Sequence, residues 1–186
     1  SELGILRDNA IDVSFTVGIG MTLFVVLLIT GLYLALFDRE VASSPSSLLI
    51  ISTTLILILA ASYGVSLVSI YLIPTAMVGM LVAILIKPKS AMVINTTIAI
   101  LVSLLLEGGL GLGIMVLCGG MVSVYVLDTP EQRNTIVISG ILSGAINALT
   151  IIGIDLMGTA TYNTTLVTAL YGLGGGFMSG VFTLGI

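Results

Sequence analysis

Between Glu40 and Lys87 the sequence contains no Asp, Glu, Lys or Arg, and Leu55 to Ala61 is apolar at every position. A segment of that kind cannot dress a surface that faces water. The rest of the chain is similar: 58% of residues are hydrophobic, 8% are charged, and mean hydropathy is +1.28. A soluble domain carries about a quarter charged residues. Lipid must therefore replace water around most of this chain. In lipid every backbone polar group has to be satisfied internally, which leaves helices or closed barrels. Barrel strands alternate apolar and polar residues with a period of two, and Leu55 to Ala61 does not. The fold class is all-α, a polytopic transmembrane helical bundle.

Polar punctuation divides the text into seven runs, so seven helices are expected at about 20 residues per crossing. The first is Ile11 to Phe37, closed by Asp38-Arg39-Glu40. After a loop through Pro45, the second runs from Leu48 to about Tyr63, with Ser46 or Ser47 as its N-cap and a turn at Gly64 and Ser66. The third is Val68 to Ile86, closed by Lys87-Pro88-Lys89. Pro74 near its start is tolerated there or kinks it. The fourth, Ala91 to Leu106, is capped by Ser90 and closed by Glu107-Gly108-Gly109. The fifth is Leu110 to Leu127, and a loop from Asp128 to Arg133 follows. The sixth is Thr135 to Met157, a turn occupies Gly158 to Asn163, and the seventh begins near Thr164. The second, third and fourth runs are short, and a re-entrant pair between Tyr63 and Glu107 is the alternative.

Numbering the junctions alternately puts Arg39, Lys87, Lys89 and Arg133 on one side and Arg7 on the other. The positive-inside rule makes the first side cytoplasmic. The expected topology is N-terminus outside and C-terminus inside.

Several chemistries are excluded. Five basic residues that do not cluster give no nucleic-acid interface. There is no His, which removes the commonest acid–base catalyst and metal ligand. Cys118 is alone, so no intrachain disulfide forms. Gly109-Leu110-Gly111-Leu112-Gly113 lacks the strand context and the Lys of a phosphate loop. No catalytic, metal or cofactor site is expected, and Met77, Met80, Met92 and Met115 read as apolar filler.

What polar residues remain inside the runs are candidates. Glu107 and Asp155 are acids far from the basic loops, and intramembrane acids are costly and often functional. Glu107 also reads as an interface residue at a turn. Asp155 also reads as a snorkelling side chain that accepts from Tyr162 or Asn163. Asn95 and Asn147 lie deeper, and their amides should face other helices, as interhelical glue or as a polar ligand site. Gly140 and Gly144 form a GxxxG, and Gly172, Gly176 and Gly180 repeat the spacing on one face. Close packing follows, within the bundle or in a homodimer. Gly174-Gly175-Gly176 also softens the last helix and is a candidate hinge.

The stretch Tyr71-Leu72-Ile73-Pro74 through Ile86 resembles the third crossing of the bacterial seven-transmembrane HD-domain phosphohydrolases, the PgpH-type cyclic di-AMP phosphodiesterases. Ser139 to Leu149 is similar to the sixth crossing of that family and Gly174 to Val181 to its seventh. Leu3-Gly4-Ile5-Leu6 looks like the exit from its extracellular domain. The resemblance covers nearly the whole chain. It implies residues 1–10 as the exit from a preceding extracellular domain and 11–186 as the seven-helix domain, with a cytoplasmic HD domain beyond. It implies a membrane transmitter that regulates hydrolysis of cyclic di-AMP, with lipid and its own flanking domains as partners and no catalytic residue of its own. The competing reading is a small transporter or channel, against which stand the absence of an alignable inverted repeat and of a midplane charge.

Overall fold

A computed structural model describes residues 2–106, 108–127, 133–157 and 162–185. All described secondary structure is helical: α1 Glu2–Phe37, α2 Arg39–Ser43, α3 Pro45–Ser66, a 3-10 turn Ile70–Leu72, α4 Ala76–Leu85, α5 Pro88–Leu105, α6 Gly109–Val126, α7 Arg133–Met157 and α8 Tyr162–Gly185. Six of these are long and apolar enough to cross a bilayer. The remaining passage is assembled from the 3-10 turn, a link in which Ile73 is extended and Thr75 already has helical dihedrals, and the ten residues of α4.

Prolines set two helix starts earlier than the serines suggest. Pro45 stands at the first position of α3, so Ser44 is its N-cap and accepts from the Ser47 amide at 3.4 Å. Pro88 does the same for α5, where Lys87 is the N-cap and Ser90 is a buried interior residue. The third run does not form one helix. Ile73 precedes Pro74, and the proline ring disfavours helical geometry at the residue before it. Ile73 is accordingly extended, with φ −64° and ψ 127°. The passage therefore spends its first third in a turn and link, and helix begins only at Ala76. Gly64 makes no turn, since α3 runs through it to Ser66.

Contacts fix the directions. Thr30 meets Thr97, and Asp38 meets Ser90 and Lys87, so α1 and α5 are antiparallel. Asn95 reaches Leu117, and Ser139 reaches Ser123, so α5–α6 and α6–α7 are antiparallel too. Gly140 faces Gly180 and Gly144 faces Gly176 across α7–α8. Leu72 lies beside Gly175 and Met80 beside Thr183, which makes the interrupted passage parallel to α8. It thus starts beside the middle of α8, at Gly175, and finishes at Lys87, beside the end of α1. The seventh expected helix is thus a shorter, interrupted passage, and six long helices stand as candidate crossings among the described residues.

That passage is the centre of the molecule. Every residue from Ile73 to Ala83 is buried, enclosed by α3, α5, α6 and α8. By contrast only 6% of the apolar window of α1 is buried, against 50% in α5. A helix apolar on all sides belongs either in lipid or in a protein core. α1 takes the first environment and α4 the second.

Candidate functional site

The interrupted passage sits in a cradle of small residues. On α4, Gly79 faces Val124 and the Gly120 carbonyl of α6. On α8, a Cβ at Gly175 would meet the Leu72 carbonyl oxygen at 3.0 Å and the Tyr71 oxygen at 3.1 Å. Backbone there touches backbone, and only glycine permits it. Gly174 looks toward the Leu72 side chain at 3.0 Å, and Gly176 is set into α7 against the backbone of Gly144. The three consecutive glycines therefore face two different neighbours, and α8 continues through them without interruption.

The faces singled out in sequence meet each other. A Cβ at Gly140 would lie 2.9 Å from Gly180 Cα and 3.0 Å from the Gly176 oxygen. One at Gly144 would lie 2.6 Å from the Leu173 oxygen. Gly172 packs over Ile151 and Ala148. All five glycines serve the α7–α8 seam within one chain.

Both candidate asparagines are buried against α6. The Asn95 Nδ2 donates to the Leu117 carbonyl at 3.1 Å, while its Oδ1 has no partner. Its amide occupies the space that a side chain at Gly120 would need, and Asn147 does the same at Gly119. Adjacent glycines thus seat one asparagine from α5 and one from α7. The Oδ1 of Asn147 and the hydroxyls of Ser143 and Ser62 are likewise buried without a partner. Lipid cannot supply the missing bonds, so this polar seam is the least satisfied part of the described core.

Asp155 is half-buried near the end of α7 and accepts from Thr168 Oγ1 of α8 at 3.4 Å, not from Asn163. Pro74 is buried at the break itself. Glu107 lies outside the described residues, as does most of the loop after Leu127. At the other end, the Lys87 ammonium bonds to Glu40 and lies 3.8 Å from Asp38, whose other oxygen accepts from Ser90. The Glu40 carboxylate holds Lys87 above its ordinary pKa, with Asp38 adding to the effect against the cost of desolvation. Among the described residues no group of His, Cys, Asp and Glu could hold a metal ion.

Sequence reasoning passed over Gly79, Gly119 and Gly120, which make room for the central passage and the asparagines, and read Gly175 only as part of a hinge. Their signal was present only as small residues in an apolar context, and their partners lie on other helices.

A bundle of this kind, with a shielded and interrupted central passage and glycine seams, is a polytopic membrane domain built around close helix contact. It belongs to the family described as 7TM receptor with intracellular HD hydrolase, which matches residues 14–186. The matched region is the membrane receptor part and not the hydrolase. Neither a curated protein nor a solved structure matches the chain.

Proposed function

We propose that this bundle is a sensory transmitter that controls a C-terminal cytoplasmic HD phosphohydrolase degrading cyclic di-AMP. In this reading it lies in the bacterial inner membrane with residues 1–10 leaving an extracellular domain, the N-terminus outside and the C-terminus cytoplasmic. The observation that carries the proposal is the double seating of α8. One face is locked to α7 through Gly140, Gly144, Gly176 and Gly180, and another touches the backbone of the interrupted passage through Gly175. A shift of either neighbour must move α8, because backbone contacts leave no compliant side chain between them. A switch needs two arrangements within a few kcal/mol of each other, and a seam of small residues permits sliding.

The test uses the full-length protein. Gly176→Leu cannot be seated against Gly144, and it should alter the response of hydrolysis to the natural stimulus. Gly174→Ala meets only the end of Leu72 and tests whether stiffening alone matters. The detached cytoplasmic domain should keep its rate. If both variants insert and respond like the parent, α8 does not transmit. Preference for another cyclic dinucleotide would overturn the substrate. The chain described here should leave cyclic di-AMP intact in the presence of manganese.

One observation favours a transporter as the second reading: a discontinuous helix near unsatisfied polar groups is a common element of transport sites. The lining of the break is mostly apolar, however, and Asp155, the described charge that acts on Tyr71, lies at its edge on α7. Ion or solute flux in proteoliposomes distinguishes the two.

A further inference from the structure

A groove runs along the seam between α1 and α5. Its mouth, a cleft of about 410 Å³, is lined by Tyr33, Phe37, Asp38, Lys87, Pro88 and Lys89. Its inner part, about 230 Å³, lies between Val26, Ile29 and Thr30 of α1 and Val93, Thr96, Thr97 and Ile100 of α5. The two parts share one face of each helix: positions 26, 29, 30, 33 and 37 recur at the helical period, as do 89, 93, 96, 97 and 100. The polar end therefore continues directly into an apolar one.

We infer that this groove holds one anionic glycerophospholipid, its phosphate at Lys89 and one acyl chain along Val26, Ile29, Val93 and Ile100. Three observations carry it. The first is charge. Among the residues that line the mouth, Lys87 and Lys89 outnumber Asp38. Lys87 is committed to Glu40 and Asp38, and Asp38 is committed to Lys87 and Ser90. Lys89 is exposed and has no ion pair among the described residues. The second is length. From Lys89 to Ile100 the helix rises about 16 Å at 1.5 Å per residue. One leaflet of a hydrocarbon core about 30 Å thick is nearly the same. The third is the floor. The Thr30 and Thr97 hydroxyls lie 2.6 Å apart; one donates to the other, which donates to the carbonyl four residues back in its own helix, Val26 or Val93. Their hydroxyls are satisfied, so the floor offers methyl groups to the chain above it. An acyl chain there would supply packing to α1, which buries little surface of its own.

The inference is independent of signalling and is tested on this chain in nanodiscs of phosphatidylcholine with a minority of phosphatidylglycerol carrying an acyl diazirine. After irradiation, label should concentrate on Val26–Thr30 and Val93–Ile100. Phosphatidylcholine with the same diazirine should label them less. Lys89→Gln should lower phosphatidylglycerol labelling about fivefold, since one basic residue near an anionic surface contributes about that factor. Thr96→Phe should obstruct the chain and lower labelling without changing the charge. Excess inorganic phosphate should not displace the lipid. Equal labelling by the two lipids, or no loss in Lys89→Gln, would overturn headgroup recognition. Label spread evenly over α1, α3 and α8 would make the lipid ordinary bilayer. Full displacement by phosphate would reduce the site to an anion site. Cysteine cross-links between the α1 helices of two copies would make the groove a dimer contact instead.

Discussion

Gly144→Ala adds a single methyl group at a point of the α7–α8 seam where backbone meets backbone. Its Cβ would stand 2.6 Å from the Leu173 oxygen, 3.2 Å from Leu173 Cα and 3.3 Å from Leu173 C, all backbone atoms. Ordinary contact begins at 3.4 Å, so α8 must retreat by about 3.4 − 2.6 = 0.8 Å. A gap of 0.5–1 Å forfeits roughly a quarter to a half of each dispersion contact across the seam. Overpacking of this kind costs about 1–3 kcal/mol, offset by about 1 kcal/mol from the better helix propensity of alanine. The control lies on the same helix. Gly153 has nothing within 4 Å of its Cβ position, so Gly153→Ala keeps the propensity gain and loses no contact. Cys118 on α6, half-buried and the only cysteine, allows unfolding in detergent to be followed by a thiol-reactive dye. Gly144→Ala should melt lower than the parent, by about 2–4 °C per kcal/mol for a chain of this size. Gly153→Ala should melt at or above it. If Gly144→Ala matches Gly153→Ala, the seam is not limited by backbone contact.

Three further outcomes are expected. Gly120→Ala should destabilise the chain because its methyl group falls on the Asn95 amide, and Asn95→Ala in the same chain should recover much of the loss, a non-additivity read by a double-mutant cycle. Single cysteines at Glu40, Lys89 and Glu131 in a Cys118→Ser background should be protected from impermeant reagent in intact cells, and labelling at any of them would reverse the proposed orientation. Lys87 should stay protonated to higher pH than an ordinary lysine. Its raised pKa means that the contact with Glu40 favours the fold at pH below the ordinary lysine value and is lost as pH rises through the shifted one. Glu40→Gln should return the Lys87 titration, followed by NMR, toward the ordinary value.

Helix existence was legible because lipid enforces it: charged and proline-containing segments interrupt the runs, and six of the seven expected runs form helices long enough to cross. The starts of α3 and α5 were less legible. Serine was read as the cap where proline at the first helical position decides, a rule that Ser44-Pro45 and Lys87-Pro88 both state in the sequence. The break at Pro74 had its signal in Ile73-Pro74, yet its extent depends on Gly175, which lets α8 cover the exposed carbonyls of Tyr71 and Leu72. The glycine faces of α7 and α8 were legible as spacing. Which helices they join was not, because a small-residue face says how close a partner comes and not which partner it is. Asn95 and Asn147 were recognised as groups that must leave lipid. Their seats at Gly120 and Gly119 could not be read, since the pairings cross between helices with no local period.

The enclosure of the third passage also bears on the order in which the protein can be made. Ile73 to Ala83 leaves the ribosome before α5, α6 and α8, the helices that later surround it. The contact of Met80 with Thr183 closes over 103 residues of chain. Until α8 arrives, the backbone of Tyr71 and Leu72 lacks the helix that packs against it at Gly175. The packing of the bundle therefore cannot finish before the last helix is made. A chain cut between α7 and α8 would display that unfinished centre to membrane proteases.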